Sequence, residues 1–271
     1  MLVLLLAAAI RVYEPGVAVE GYEKVPAPSI SMRMNEASAT SAPFITSNAW
    51  RFVRGLKKAF YEKLPPGVGA LAAAEANAWG VDAVLQTAPE DNENVRAMLA
   101  FIERIGPSNL PIRGNIGIID DGSKELPEAL NLLSRRNLLY KVVSAPDKSL
   151  DLNIQIGSSQ YPRSAVANPN DFAARVREQL TDDKRVLRLY GSNTVVANLT
   201  GDERHGRLHL VNYSRRPVMT DVRVRVLGHY KKVKLSEAND PNQQAADVTI
   251  SDKAAEFTVR QLTTYAVVDL E

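Results

Sequence analysis

The spacing of hydrophobic residues divides the chain into a first part with helices and strands and a last part with strands alone. Residues 92–105 place apolar side chains at helical spacing and stop at Gly106, which predicts an amphipathic helix. The alanine-rich residues 67–79 predict a second helix. Residues 29–34 alternate between apolar and polar side chains and predict a strand, and residues 81–87 predict a short buried strand.

Residues 113–182 repeat this alternation of strands and helices on a smaller scale, which favours a small flavodoxin-like layer. Either Asn170 or Asp171 is suited to begin its last helix as N-cap residue. The predicted elements are strands at 116–120, 140–144 and 152–156 and helices at 125–136 and 171–180.

After residue 183 the pattern changes to one short strand after another. The alternation is clearest in residues 221–226, where three valines share one face and Arg223 and Arg225 share the other. Eight such stretches separated by turn residues predict an antiparallel β-sandwich of about 90 residues.

These patterns predict an α/β plus all-β protein. Its parts are a signal-like apolar segment at residues 1–18, a partial TIM-barrel-like α/β segment at 19–112, a flavodoxin-like α/β domain at 113–182 and a β-sandwich domain at 183–271. The middle two follow the rhythm of parallel sheets with right-handed crossovers. A complete eight-stranded barrel needs about 250 residues, so the second part is too short to close one.

The first ten residues, MLVLLLAAAI, are apolar and end in small side chains, as the core of a secretory signal does. Export to an extracellular or periplasmic location is the first interpretation. A buried strand of an incomplete module and a mis-assigned start within a longer gene are the alternatives. A stable membrane span is not expected, because a span needs about 20 apolar residues.

The composition of the chain limits the partners and the kinds of catalytic or metal site that can be expected. The 33 lysines and arginines nearly balance 31 aspartates and glutamates, so no strong field favours nucleic acid as a partner. The absence of cysteine excludes disulfides, thiol nucleophiles and cysteine-based metal sites, and no metal or other cofactor is expected. His205 and His209 have helical spacing, but the strand pattern puts only His209 on a strand, so they are not expected to converge.

Three stretches of the last domain resemble a known family: RLHLVNYSRRPV, VRVRVLGHYKKVKL and EFTVRQLTTYAVVDL. They are similar to the terminal sandwich of multidomain bacterial glycoside hydrolases, especially β-galactosidases that carry a trimerisation α/β domain after the barrel. Upstream, MRMNEAS through GVDAVLQ looks like the last barrel strands of such an enzyme. The resemblance implies the back half of a glycoside hydrolase, with a carbohydrate as partner and a homo-oligomer assembled through the α/β domain.

Glu36 is the candidate catalytic residue. It follows the strand predicted at 29–34, and chemistry in parallel barrels lies at the C-terminal ends of strands. Hydrolysis of a glycosidic bond usually needs a second carboxyl group about 5 to 10 Å away, and the sequence offers no convincing one. The alternative is a loop carboxylate that is solvated or caps a turn.

A cluster of aromatic and basic residues is the candidate sugar-binding site, because a pyranose ring has an apolar face and a polar edge. Its members are Arg33, Trp50, Arg51, Phe52 and Arg54. The alternative is a lid whose aromatic side chains are buried against the helix at 67–79. The sequence therefore predicts a carbohydrate-active protein derived from glycoside hydrolases that binds or hydrolyses a glycan. A non-catalytic structural or oligomerisation module, and a fragment of a longer glycosidase, stay open.

Overall fold

The computed structural model describes residues 9–32, 43–214 and 218–271. Its first unit contains both helices and strands, as the hydrophobic spacing predicts. The elements are β1 (Ile10–Val12), β2 (Glu23–Val25), β3 (Ser29–Met32), β4 (Pro43–Thr46), α1 (Ala49–Val53), β5 (Lys58–Tyr61), α2 (Gly69–Ala78), β6 (Asp82–Leu85) and α3 (Asn92–Ile105).

The first unit is built on a parallel four-stranded sheet with the order β1-β6-β5-β2. Side chains on one face, such as Ala59 and Leu85, pack into a core with the apolar residues of α2 and α3. The helices at 67–79 and 92–105 are therefore confirmed, and Gly106 ends α3 with a φ of 69°. Glycine adopts this left-handed conformation without the steric cost that a side chain would impose.

One prediction for this unit is wrong. Strand β3 pairs with β4 in an antiparallel hairpin and not with the parallel sheet, so Ser29–Met32 does not supply a barrel strand. The aromatic stretch around Trp50 forms the short helix α1, which begins after Asn48. The alternating pattern predicted a strand correctly but could not identify its partner, because pairing depends on the rest of the sheet.

The second unit has a parallel three-stranded sheet in which β7 (Ile116–Ile119) lies between β8 (Tyr140–Val143) and β9 (Leu152–Ile154). The N-cap of its last helix is Asn168, whose side chain accepts hydrogen bonds from the backbone of Asn170 and Asp171, so the predicted caps are wrong by two or three residues. That helix loses helical geometry at Thr181, next to the predicted end at residue 180. The elements are β7 (Ile116–Ile119), α4 (Leu126–Arg135), β8 (Tyr140–Val143), β9 (Leu152–Ile154) and α5 (Pro169–Lys184).

The rest of the described chain is an antiparallel sandwich. Its strands are β10 (Leu187–Tyr190), β11 (Val195–Gly201), β12 (Gly206–Asn212), β13 (Met219–Leu227), β14 (Val233–Glu237), β15 (Ala246–Ile250), β16 (Ala254–Leu262) and β17 (Tyr265–Leu270). The outer sheet has the order β10-β13-β16-β15, and the inner sheet has the order β11-β12-β17-β14. The predicted fold class, α/β followed by an antiparallel β-sandwich, is confirmed.

The inner sheet is buried on both faces. One face, which includes Leu208 and Val268, packs against the outer sheet. The other face, which includes Val211 and Val267, packs into the core of the first unit with α2. We call this second surface the junction face, because it joins the sandwich to the first unit.

The apolar start of the chain is described from residue 9 onwards. Ile10–Val12 forms β1, which pairs in parallel with β6 at the edge of the first sheet. Over the described ranges, every helix is too short or too polar to cross a bilayer.

Candidate functional site

Helix α1 carries three of the residues predicted to bind sugar, Arg54 is its C-cap residue, and the structure separates their roles. Phe52 is 1% exposed, and its ring lies 6.5 Å from that of Trp79, measured between centroids. The side chain therefore belongs to the hydrophobic core of the first unit. A sugar cannot stack on a ring that is covered on both faces, so burial against the helix at 67–79, the alternative interpretation, describes Phe52 better.

Trp50 and Arg51 are half-buried and contact each other. The Arg51 guanidinium carbon lies 4.2 Å from the centroid of the Trp50 ring, which is a cation–π contact. Trp50 also packs against the hydrophobic core of the second unit. Desolvation by burial lowers the pKa of Arg51, and the charges of Glu23 and Glu75 oppose this shift. The pair thus occupies the boundary between the first two units.

Arg54 joins the first two units through an ion pair. Its Nε donates to Asp120 Oδ2 at 2.5 Å and its Nη2 donates to Asp120 Oδ1 at 2.9 Å. The hydrogen bond from Arg54 is the main cause that lowers the pKa of Asp120. A bidentate pair of this kind fixes the guanidinium plane, so in the structure Arg54 serves the contact between units.

Arg33 and Glu36 lie outside the described residues. Glu36 was predicted to be catalytic because residues 29–34 were expected to form a parallel barrel strand with a catalytic C-terminal end. Strand β3 is instead a hairpin strand, so its position does not support a catalytic role for Glu36. The roles of Arg33 in sugar binding and of Glu36 in catalysis stay predictions.

A buried carboxylate that the sequence analysis missed lies in the middle of α2. Glu75 has no exposed surface. Its Oε1 accepts hydrogen bonds from the Asn48 backbone at 2.8 Å and the Tyr213 hydroxyl at 2.6 Å, and its Oε2 accepts from the Tyr61 hydroxyl at 2.8 Å and Asn48 Nδ2 at 2.9 Å. The signal in the sequence is one acidic residue inside the alanine-rich run GALAAAEANA.

The Glu75 cluster connects the first unit to the sandwich, because Tyr213 follows the inner strand β12. Burial and the charge of Glu75 raise the pKa of both Tyr61 and Tyr213, so the two phenols stay protonated and act as donors. Burying a carboxylate is costly unless it is fully hydrogen-bonded. Donors of the protein meet that requirement and Glu75 has no exposed surface, so the cluster is a structural joint and is closed to a substrate.

A pocket of about 950 Å³ opens between the first unit and the junction face. We call it the junction pocket. It lies at the N-terminal ends of the parallel strands, since Ile10 and Lys57 are at its wall. Apolar side chains such as Leu99 and Ile102 form part of the lining. Its polar side chains are Lys57, Asn77, Ser108, Asn109, Glu103, Asn198, Thr200, Arg207 and His209.

Several polar groups of this pocket are held in place by hydrogen bonds. Asn77 Nδ2 donates to the Tyr265 hydroxyl at 2.7 Å, and that hydroxyl lies 2.7 Å from His209 Nδ1. Asn198 Nδ2 donates to the carbonyl of Ala78 at 2.7 Å. The bonds from Asn77 to Tyr265 and from Asn198 to Ala78 link the junction face to α2, so these side chains are oriented by the packing of the two units.

Arg207 closes one side of the pocket. Its Nε donates to Asp269 at 2.6 Å, and its Nη1 donates to the carbonyl of Gly106 at 2.8 Å. Burial lowers the pKa of His209 to about 3, and the charge of Arg207 adds to the shift. The imidazole is therefore neutral at physiological pH. His205 lies in the turn before β12, so the prediction that the two histidines do not converge is confirmed.

The acidic side chains that line the pocket determine whether it could hydrolyse a glycosidic bond or hold a metal ion. Of the described residues in its lining, Glu103 is the one that carries a carboxylate. Among the described residues, no three histidine, aspartate or glutamate side chains are grouped so that they could hold a metal ion. The pocket thus offers amide, imidazole and guanidinium groups on an apolar wall.

Comparison with known proteins shows a shared fold. The chain is similar to α-L-fucosidase isoenzyme 2 from Paenibacillus thiaminolyticus, with 11% identity, 82% of this chain and 62% of that chain covered, and a TM-score of 0.57. It is also similar to the β-galactosidase from Bacillus circulans sp. alkalophilus, with 8% identity, coverage of 83% and 58%, and a TM-score of 0.50. The matches therefore span about three fifths of each solved protein.

No family model matches the chain, and no curated protein matches it either. At identities near 10% the structural similarity concerns the fold, because function depends on the residues of the site. The chain therefore has the fold of glycoside hydrolase regions over most of its length.

Proposed function

We propose that this protein binds a carbohydrate in the junction pocket without hydrolysing it. The observation that carries the proposal is the arrangement of Asn77, Asn198 and His209 around one apolar-walled pocket. Uncharged hydrogen-bonding groups suit sugar hydroxyls, and aliphatic side chains suit the C–H faces of the ring. The volume is within the range of small-molecule sites, which is about 300 to 1,000 Å³.

The number of carboxylates favours binding over hydrolysis. Retaining and inverting glycosidases usually place two carboxyl groups across the scissile bond. Glu103 alone supplies a carboxylate to the described lining of the pocket. The pocket also lies at the N-terminal ends of the strands, whereas barrel enzymes carry out chemistry at the opposite ends. These two facts support a binding protein that keeps the architecture of a glycosidase.

Calorimetric titration with L-fucose, D-galactose and lactose tests the binding. The names of the two similar enzymes motivate these sugars. We expect measurable heat from at least one of them, with a dissociation constant in the range of about 0.01 to 1 mM. Ile102→Trp, which fills the pocket, should abolish the heat. The matched control is Val248→Trp on the exposed outer sheet, where binding should be unchanged.

The proposal fails if none of the sugars gives heat, or if Ile102→Trp binds as well as the parent chain while thermal melting shows that both are folded. Hydrolysis is tested separately with nitrophenyl α-L-fucoside and β-D-galactoside. We expect no release of nitrophenol. Release that disappears in Glu36→Gln would overturn the non-hydrolytic part and restore Glu36 as a catalytic acid.

A structural module that oligomerises through the second unit is the alternative function. The contacts of Arg54 with Asp120 and of Tyr213 with Glu75 join the units of one chain into a scaffold, which favours a structural module, and oligomerisation is carried over from the family resemblance. Sedimentation equilibrium decides this: a single species of one chain at micromolar concentration rules it out. We also propose export of the chain, which cell fractionation would contradict if the protein stays with the cytosolic fraction.

A further inference from the structure

Three side chains of the junction form a hydrogen-bonded relay that ends in the pocket. Asn77 Nδ2 donates to the Tyr265 hydroxyl, which contacts His209 Nδ1, both at 2.7 Å. The rings of Tyr265 and His209 are stacked, with an interplanar angle of 10°. Both rings are buried, Tyr265 with no exposed surface and His209 with 5% exposed. The relay therefore has one arrangement of heavy atoms and few choices for its protons.

The donor at Asn77 fixes the direction of the relay. A tyrosine hydroxyl has one hydrogen to donate and two lone pairs that accept. Since Asn77 Nδ2 can only donate, it occupies a lone pair of Tyr265. If His209 Nδ1 also carried a hydrogen, the buried hydroxyl hydrogen of Tyr265 would have no acceptor within the described contacts. Leaving a buried donor without an acceptor costs more free energy than a typical hydrogen bond contributes. Tyr265 therefore donates to Nδ1, and the imidazole hydrogen is on Nε2.

A second polar group of the pocket is fixed in the same way. Asn198 donates its Nδ2 to the carbonyl of Ala78 at the end of α2. The amide oxygen of Asn198 is then the group left to accept. Within the described residues, neither His209 Nε2 nor Asn198 Oδ1 has a hydrogen-bond partner, although both side chains line the junction pocket.

We propose that His209 Nε2–H and Asn198 Oδ1 act as a fixed donor and acceptor pair that recognises neighbouring hydroxyl groups of a neutral sugar. A sugar hydroxyl both accepts and donates, so adjacent hydroxyls complement such a pair. This inference rests on the proposed function and deepens it, because it names the ligand class and the two residues that set specificity. Tyr265 and Asn77 are positioning residues that act through His209.

The charge of the site supports a neutral ligand. His209 has a pKa of about 3, so it stays uncharged where the pocket would be used. The charged side chains that line the same pocket are Lys57, Glu103 and Arg207, and Arg207 is paired with Asp269. Binding should consequently change little between pH 5 and pH 8.

The tautomer of His209 is measured directly by ¹⁵N NMR of the full chain without ligand at neutral pH. We expect a protonated Nε2 and an unprotonated Nδ1 for His209, whereas the exposed His205 and His229 should exchange between tautomers. Tyr265→Phe should release His209 from this single tautomer while the ring packing is kept. A protonated Nδ1 in the parent chain would overturn the inference.

Binding is tested with D-galactose and its single-deoxy derivatives by calorimetry. Loss of a recognised hydroxyl should weaken binding about 3- to 10-fold for each hydrogen bond removed, and two adjacent positions should be sensitive. Tyr265→Phe should weaken galactose binding by a similar factor. The background heat from injections of buffer alone should not change. If galactose, fucose and lactose all fail to bind, the proposed function fails. If galactose binds but neither Tyr265→Phe nor any deoxygenation weakens it, this inference alone fails.

Discussion

Strands β12 and β13 look alike in sequence but face different surroundings. Both alternate apolar and polar side chains, as in RLHLVN and DVRVRV. In β13 the alternate position Arg223 points into solvent from the outer sheet. In β12 the alternate positions Arg207 and His209 lie on the junction face, against the first unit. Period-two alternation thus predicts that a strand has two unlike faces, but not what covers the polar one.

The outer sheet and the junction face differ in the free-energy cost of removing a polar side chain from water. A charged residue on the outer sheet keeps its water and contributes little when it is paired. On the junction face a polar side chain loses water, so it must find partners in the neighbouring unit. Asn198 and Arg207 have such partners, and His209 is connected to Asn77 of the first unit through Tyr265 of its own sheet. Polar groups on a sheet that is buried on both faces therefore mark a joint or a binding site.

The largest expected effect comes from removing the buried carboxylate that holds the junction. Glu75→Ala should lower the free energy of unfolding by about 3 to 5 kcal/mol, because the donors of Tyr61, Tyr213 and Asn48 lose their acceptor. Denaturant unfolding measures it. The control is Glu256→Ala on the outer sheet, paired with Arg225 at 3.0 Å, for which a loss below about 1 kcal/mol is expected. Equal losses would remove the distinction between the buried junction and the outer sheet.

The second prediction concerns pH. The pKa of His209 falls from 6.5 to about 3 on folding, so the unfolded chain binds the proton more readily. Above pH 6.5 this histidine is neutral in both states and does not lower the free energy of unfolding. As the pH falls from 6.5 towards 3, the unfolded chain takes up the proton first, so the free energy of unfolding decreases. By pH 4 the loss should be on the order of 3 kcal/mol.

Unfolding free energies of the parent chain and His209→Gln at pH 7 and pH 4 isolate this contribution. The parent chain should lose more stability on acidification than the variant. His229→Gln is the matched control, since it makes the same substitution at a side chain that is 58% exposed. Identical acid sensitivity of the parent chain and His209→Gln would contradict burial of this histidine in the junction.

The third prediction compares two arginines. Arg207→Met should cost about 1.5 to 3 kcal/mol, because Asp269 and the last carbonyls of α3 lose a charged donor. Arg225→Met, at a partly exposed outer pair, should cost less than about 1 kcal/mol. Thermal melting of the two variants measures the difference. The contrast fails if Arg225→Met is the more destabilising change.

Much of the fold could be predicted because the decisive signals are local. Apolar spacing and a following glycine place the helix at 92–105, and alternation places the strands of the sandwich. The hairpin of β3 and β4 could not be predicted, since residues 29–34 carry no information about which strand they pair with. The predicted N-cap of α5 was wrong because Asn168, Asn170 and Asp171 are all suitable cap residues, and the structure uses Asn168.

The candidate site was harder to predict than the fold. Trp50 and Arg51 do contact each other, as their proximity in sequence suggests. Phe52 is buried and Arg54 is paired with Asp120, and both outcomes depend on residues more than 25 positions away. The pocket residues Asn77, Asn198 and His209 are more than 120 positions apart at the extremes, so no motif joins them.

The sequence by itself determined the element types, the change from α/β to all-β and the absence of cysteine chemistry, because periodicity and composition are properties of the chain alone. Tertiary structure decided which polar residues face solvent and which face another unit. It buried Glu75, oriented His209 through Tyr265 and opened the junction pocket. These outcomes depend on the packing of surfaces distant in sequence, and desolvation acts only once those surfaces meet.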